Sequence, residues 1–212
     1  MKALFYKFSK DLPLKLLLML YFWMLVPWAL CLYGTINLYE SPLVFMLAGI
    51  IYTFECSSDE KSKFNKYMTS FPIKRSTYVS YIFLLIVISE VIMYFFQILL
   101  GILSPTVLER NVMSENTPIM LLSSMCIGIA VVGFAVFWNF KASFRVSGTM
   151  LVVLYFFVSF VLGFIIGVTK DSESATALLN STGFRIVTAV VSLIVFLFEW
   201  WLSVRVYNKK DV

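Results

Sequence analysis

Long apolar runs separated by short polar stretches dominate the chain. They occupy residues 14–33, 41–54, 79–103, 118–138, 146–168 and 183–206. Five of the six are long enough for a helix to cross a hydrocarbon core about 30 Å thick, because a helix rises about 1.5 Å per residue. The run at 41–54 would reach only about 21 Å, so neighbouring helices must shield its ends or the bilayer must thin there.

The apolar positions in these runs are continuous rather than alternating, which favours helices over strands. We therefore predict an all-α, polytopic membrane protein with six transmembrane helices. No internal repeat or low-complexity linker divides the sequence. Residues 1–212 are predicted to form a single transmembrane domain.

The composition agrees with a membrane protein and excludes several kinds of catalytic and metal site. Of the 212 residues, 60% are hydrophobic and 14% are charged, whereas soluble domains carry about 25% charged residues. The net charge of +5 therefore indicates a membrane surface as partner rather than nucleic acid. The absence of histidine excludes a histidine-dependent triad and a histidine-ligated zinc ion. Cys31, Cys56 and Cys126 lie in or beside apolar runs and imply neither a disulfide framework nor a metal cluster.

The positions of lysine and arginine predict the orientation of the helices. Placing both termini in the cytoplasm puts fourteen of the 17 basic residues on or near that side. Only Arg110, Lys170 and Arg185 are then left outside. Because cytoplasmic loops carry the excess of positive charge, we expect both termini to be cytoplasmic.

Residues 1–13 have an amphipathic pattern. Lys7 and Lys10 lie opposite an apolar set with helical spacing: Leu4, Phe5, Phe8 and Leu12. This predicts an interfacial helix on the inner leaflet. A frayed basic leader is the alternative.

The polar segment at residues 55–78 has the clearest local signals. Ser57 and Glu60 form a capping box, which predicts the start of a helix. An apolar stripe follows at helical spacing, and Pro72 ends the helix. The stripe consists of Phe64, Tyr67, Met68 and Phe71. We expect a short amphipathic helix in the cytoplasm, which either is gripped by a partner or rests on lipid headgroups.

This segment and the residues after it contain a motif that comprises Asp59-Glu60-Lys61, Tyr67, Ser70, Pro72, Arg75, Tyr78-Val79 and Tyr81. The motif resembles the intracellular loop of type-2 permeases of ATP-binding cassette (ABC) exporters. Ser80 departs from the pattern, since many members have Lys or Arg there. The six spans, the cytoplasmic termini and the basic leader also fit this family. The small permeases of Gram-positive bacteria that export amphipathic or antimicrobial peptides, including phenol-soluble modulins, look similar.

The resemblance implies a cell-membrane permease that works with other chains. In that family the loop forms a coupling helix that docks on an ATP-binding subunit, and two permease copies or related permeases pair. The contact would involve Asp59, Glu60, Lys61, Phe64, Tyr67 and Pro72. None of the nine glycines precedes a lysine, so the chain lacks a GxxxxGK[ST] phosphate loop. We therefore expect no cofactor in this chain, no enzymatic activity of its own, and ATP with Mg²⁺ on the partner subunit.

Two acidic residues lie within the apolar runs. Glu90 falls near the middle of the third run, where it should face protein or water. With Gln97 two turns further on, it could line a cavity and attract a cationic peptide, or it could form a structural contact between helices. Glu199 lies beside Trp200 and Trp201, which fit an interfacial aromatic belt, so we expect its side chain to reach the headgroups.

Small residues predict close contacts between helices. They occur in the fourth run as Gly128 and Gly133, and in the fifth as Ser159, Gly163 and Gly167. We expect the three small residues of the fifth run either to pack against other helices of the same chain or to form a contact between two copies. The family often has short re-entrant helices before its last span, and residues 169–182 would form such an outer gate by resemblance.

The leading hypothesis is an ABC exporter permease whose cargo is an amphipathic peptide or another hydrophobic compound. A membrane enzyme is a weaker hypothesis, because the groups used by most known metal and triad designs are missing. The remaining alternative is an ATP-independent immunity or sensor protein, since fold alone does not fix function.

Overall fold

The computed structural model describes Phe45 and residues 74–108, 116–142, 149–150, 152–154, 156–158, 160–161, 177–178 and 181–209. These residues are almost entirely helical, and they include three long helices. The helices are α1 (Arg75–Leu108), α2 (Thr117–Lys141) and α3 (Thr182–Lys209). Each contains a stretch long and apolar enough to cross a membrane, which in α1 covers Arg75–Leu99.

The three helices contain the third, fourth and sixth apolar runs, which confirms these as helices of membrane-spanning length. Each helix extends beyond its run: α1, for example, begins at residue 75 rather than 79 and ends at 108 rather than 103. An apolar run records the length immersed in hydrocarbon, whereas backbone hydrogen bonding continues into the headgroups. The last residues of the predicted coupling region 55–78 therefore belong to α1.

Several predictions concern residues outside the described ranges. These are the interfacial helix at 1–13, the first run, the coupling region up to residue 73, the small residues of the fifth run and most of the segment at 169–182. Phe45 in the second run is helical, and so are the described residues between 149 and 161 in the fifth.

Local hydrogen bonds explain where α2 and α3 begin. The carbonyl of Asn116 accepts bonds from the backbone N–H groups of Ile119 and Met120 at 3.1 and 3.0 Å. Pro118 lies in the first turn, where the missing N–H costs nothing. At α3 the hydroxyl of Ser181 accepts a bond from the N–H of Phe184 at 3.3 Å, as an N-cap does.

Contacts at both ends define the directions of the helices. Near the start of α1, the ring centroid of Tyr78 lies 6.1 Å from that of Phe140 in α2 and 5.9 Å from that of Tyr207 in α3. Further along α1, the Tyr94 hydroxyl donates to the carbonyl of Pro118 at 3.3 Å. Therefore α1 runs antiparallel to α2 and α3, which run parallel to each other.

The core lies where α1, α2 and α3 meet. One face of α1 is buried there, with Val79, Ile82, Ile86 and Met93 spaced three, four or seven residues apart. The most extensive contact is between α2 and α3. These three helices thus form one packed unit in which α2 has neighbours along most of its surface.

The two glycines of α2 mark close approaches, as predicted. A Cβ atom added to Gly128 would lie 2.5 Å from the Cβ of Phe45 and 3.3 Å from the carbonyl carbon of that residue. At Gly133 the neighbour is α3, where the ring of Phe196 would lie 2.8 Å from such an atom. The absence of a side chain therefore lets the helices approach at both positions.

Candidate functional site

Glu90 lies at the centre of the packed unit. It shares the buried face of α1 with Ile86 and Met93, and its exposed fraction is 0%. Neither carboxylate oxygen has a hydrogen-bond partner among the described residues. We expected this residue to face protein or water, and in the structure it faces protein. Its role as a cavity residue stays a prediction.

Gln97 lies two turns beyond Glu90 on the same buried face of α1, with 6% of its surface exposed. The bond between Tyr94 and Pro118 fixes the register between α1 and α2. By that register Glu90 lies near the level of Ser123 and Ser124, which are also buried. Polar side chains thus follow the seam between α1 and α2 through the middle part of both helices.

Glu199 is the second buried carboxylate, and the expectation that it reaches the headgroups is wrong. Only 6% of it is exposed, and its Oε2 atom would lie 2.6 Å from a Cβ added to Gly133. Oε2 has no hydrogen-bond partner among the described residues. The adjacent Trp200 and Trp201 are 38% and 42% exposed, so the belt residues turn outward while Glu199 turns toward α2.

Sequence reasoning missed this position because it relied on the neighbouring tryptophans. A usable signal was present in Glu199 and Ser203, which lie one turn apart and therefore share a face of α3. Both are buried, and the Ser203 hydroxyl donates to the Glu199 backbone carbonyl at 2.7 Å. Polar residues inside a membrane helix usually face protein rather than lipid.

An aromatic cluster joins the three helices at the end where α1 begins. It consists of Tyr78, Phe140 and Tyr207, and all three are buried. The rings of Phe140 and Tyr207 complete the triangle at a centroid distance of 5.2 Å and an interplanar angle of 61°. Edge-to-face contacts of this kind stabilise the packing beyond the area they bury.

Ser80 also joins α1 to α3. Its hydroxyl oxygen accepts a hydrogen bond from the Trp200 indole N–H at 3.1 Å. One turn further on, the rings of Phe83 and Phe196 lie 5.3 Å apart. Ser80, which departs from the motif described above, thus makes a contact between two of the long helices.

Basic residues gather at this same end of the helices. Among them, the Lys141 ammonium lies 4.5 Å from the centroid of the Trp138 ring, and the Arg205 guanidinium lies 3.8 Å from that of Trp201. Such contacts are cation–π interactions. The whole set is Lys74, Arg75, Lys141, Arg205 and Lys209. On α3, the opposite end carries Arg185.

The polar side chains buried among the described helices include two carboxyl groups, those of Glu90 and Glu199. An isolated ionised carboxylate in a low-dielectric interior is strongly unfavourable, so each buried glutamate must be neutralised by a proton or by a cation. Within these residues, no three metal-ligating side chains lie together. The coupling residues Asp59, Glu60, Lys61, Phe64, Tyr67 and Pro72 lie outside the described ranges.

Comparison with known proteins identifies one family. The profile of the family described as ABC-2 family transporter protein matches residues 5–208. This match covers α1, α2, all of α3 except Lys209, and both buried glutamates. No curated protein and no solved structure matches the chain.

Proposed function

Because the chain belongs to the ABC-2 family of transporter proteins and is therefore a membrane permease subunit of an ABC transporter, we propose that the transporter is an exporter. Its cargo is an amphipathic or antimicrobial-type peptide, or another hydrophobic compound. A separate ATP-binding subunit hydrolyses ATP with Mg²⁺, and a second permease copy or a related permease completes the pathway. The family match carries this proposal.

The proposed orientation puts the start of α1 and the ends of α2 and α3 in the cytoplasm. The clustered basic residues at this end support it, since the cytoplasmic side of membrane proteins is the more basic. The cell membrane of a Gram-positive bacterium is the proposed location.

The described contacts suggest how ATP hydrolysis would move the helices. The coupling helix proposed around Phe64 and Tyr67 precedes α1 directly along the chain. The first turns of α1 are joined to α2 and α3 by the Tyr78 cluster and by the bond between Ser80 and Trp200. A displacement of the coupling helix would therefore act first on α1 and change its contacts with α2 and α3, because packed helices move as rigid elements.

The cargo path would pass Glu90 and Gln97. In this structure both are buried, so we assign the packing described above to a closed state. Movement of α1 away from α2 and α3 would expose both side chains to a central cavity, where Glu90 would favour cationic cargo.

The first test is to purify the tagged chain from native membranes in mild detergent. Mass spectrometry should find a stoichiometric subunit that carries a phosphate loop, and the complex should have vanadate-sensitive ATPase activity. A lone chain without ATPase activity in several detergents would instead favour an ATP-independent immunity or sensor protein.

The second test concerns coupling. The double variant Phe64→Ala/Tyr67→Ala should insert normally and retain ATPase activity, while export per ATP hydrolysed falls about tenfold or more, because the coupling helix loses its proposed grip. The matched control is Phe95→Ala/Phe184→Ala, which removes two aromatic rings that are 64% and 41% exposed. The control should export normally. Normal export by the first variant would contradict the proposed coupling contact.

A further inference from the structure

Glu90 and Glu199 are both buried carboxyl groups in the unit formed by α1, α2 and α3. They are 0% and 6% exposed, and three of their four carboxylate oxygens have no hydrogen-bond partner among the described residues. A carboxyl group that served only to join helices would be expected to bond to nearby hydroxyls. Yet the Ser203 and Ser123 hydroxyls donate to carbonyls of their own helices, those of Glu199 and Met120.

The nearby basic side chains do not neutralise Glu199. Arg205 lies over the ring of Trp201, and Lys141 lies over the ring of Trp138. Both cations are exposed side chains at the helix ends. Neither of these described cations balances Glu199, and a proton or a bound ligand would supply the positive charge.

The two carboxylates lie at different depths. The ring contact between Phe83 and Phe196 places those residues at one level. Glu90 lies seven residues outward from Phe83, and Glu199 lies three residues inward from Phe196. At the helical rise this contact separates the two glutamates by about 15 Å along the helix axes, and the contact between Tyr78 and Tyr207 separates them by about 6 Å.

We propose that Glu199 and Glu90 bind the ammonium or guanidinium groups of a cationic amphipathic cargo in succession, Glu199 in the inner half of the membrane and Glu90 near its middle. This inference rests on the proposed export function and names its substrate class. Two acidic positions at different depths allow a cation to leave one before it reaches the next. A single deep acidic position would hold the cargo too firmly for release, since conduction through such sites requires multiple positions of moderate strength.

In the closed state the two glutamates are enclosed by different pairs of helices. Gly133 leaves just enough space for the Glu199 carboxylate between α2 and α3. Glu90 instead belongs to α1, which packs less extensively on the other two helices than they pack on each other. Movement of α1 would therefore uncover Glu90, and a separate movement of α3 from α2 at Gly133 would uncover Glu199.

The test uses the complete transporter in nanodiscs of zwitterionic phosphatidylcholine, so that lipid charge does not attract the probe. The probes are fluorescent 18-residue amphipathic helices of leucine with lysine, and of leucine with glutamine. Empty nanodiscs give the background. For the wild type we expect the lysine peptide to bind at least tenfold more tightly than the glutamine peptide.

The variants Glu199→Gln and Glu90→Gln separate a bound cation from a bound proton, because glutamine imitates a protonated carboxyl group in size and polarity. Each should weaken binding of the lysine peptide about tenfold and leave binding of the glutamine peptide unchanged. Glu199→Asp and Glu90→Asp keep the charge and should bind the lysine peptide within about threefold of wild type. Glu115→Gln, between α1 and α2, is the control for loss of one negative charge.

The results distinguish this inference from the proposed function. If both glutamine variants bind the lysine peptide as the wild type does, the carboxyl groups are structural and the inference is wrong, although export can still stand. Equal binding of the two peptides by the wild type would overturn it as well. Loss of binding by all four variants would indicate damaged packing rather than a lost charge, and it would also count against the inference. Export that is independent of ATP would instead contradict the proposed function.

Discussion

The parallel helices α2 and α3 are built from similar apolar side chains, yet most of α2 is buried and most of α3 is exposed. In the most apolar stretch of α2, 61% of the residues are buried, against 22% in α3. α2 has α1, α3 and the backbone of Phe45 as neighbours. α3 instead touches the packed unit along one stripe and exposes Ile194 and Leu197 at 61% and 57%.

Small and polar residues account for this difference. On α2, Gly128 and Gly133 lie where another segment approaches closely. On α3, the residues Ala189, Glu199 and Ser203 all belong to the single buried stripe. Lipid tails are as apolar as leucine, so an apolar side chain gains little by facing protein instead of lipid. The surface that packs is therefore marked by small or polar residues, and three predictions test this contrast.

The largest expected effect separates the two faces of α3. Phe196→Ala removes a buried ring that packs on Phe83, and the resulting cavity should cost about 3–4 kcal/mol of the free energy of unfolding. Leu197→Ala, one residue away on the exposed face, should cost less than about 1 kcal/mol. Unfolding of each purified variant in SDS titrations measures both values. Similar losses at the two positions would show that the exposed face of α3 is covered by protein.

The second prediction compares glycines on the two helices. Gly128→Ala places a methyl group against the Cβ and backbone of Phe45, which cannot move easily, and should cost about 2–3 kcal/mol. Nothing lies within 4 Å of the corresponding position at Gly183, so Gly183→Ala should be neutral or slightly stabilising.

Thermal unfolding followed by size-exclusion chromatography compares the two glycine variants. For a chain of this length the Gly128→Ala variant should melt about 4–12 °C lower than wild type. An unchanged Tm would mean that Phe45 does not lie against α2.

The spans could be predicted from sequence because hydrocarbon thickness imposes a length on any helix that crosses it. The runs that form α1, α2 and α3 can therefore be found from the sequence, but each helix begins before its run and ends after it, because the helices continue past the hydrocarbon. The rotation of each helix about its axis was harder to predict. Apolar residues surround α3 on all sides, so the apolar pattern does not identify the face that packs, and the polar pair Glu199 and Ser203 is the signal that remains.

In the candidate site, too, one feature could be predicted from the sequence and another could not. The burial of Glu90 followed from its central place in a span, because a carboxyl group cannot face lipid cheaply at that depth. The burial of Glu199 depends on the absence of a side chain at Gly133, on another helix 66 positions earlier in the chain. The sequence of α3 does not show that space on α2. The adjacent Trp200 and Trp201 are exposed, as interfacial residues are, but Glu199 is not.

The smallest predicted effect tests whether the exposed side of α3 has any specific contact with α1. The Trp200 indole donates to the Ser80 hydroxyl at 3.1 Å although Trp200 is 38% exposed. Hydrogen bonds between membrane helices contribute about 0.6 kcal/mol on average. A double-mutant cycle of Ser80→Ala and Trp200→Phe should therefore give a coupling energy of about 0.6 kcal/mol. The Phe substitution keeps an aromatic side chain and removes the donor, so a coupling energy near zero would mean that α3 is held to α1 by its buried stripe alone.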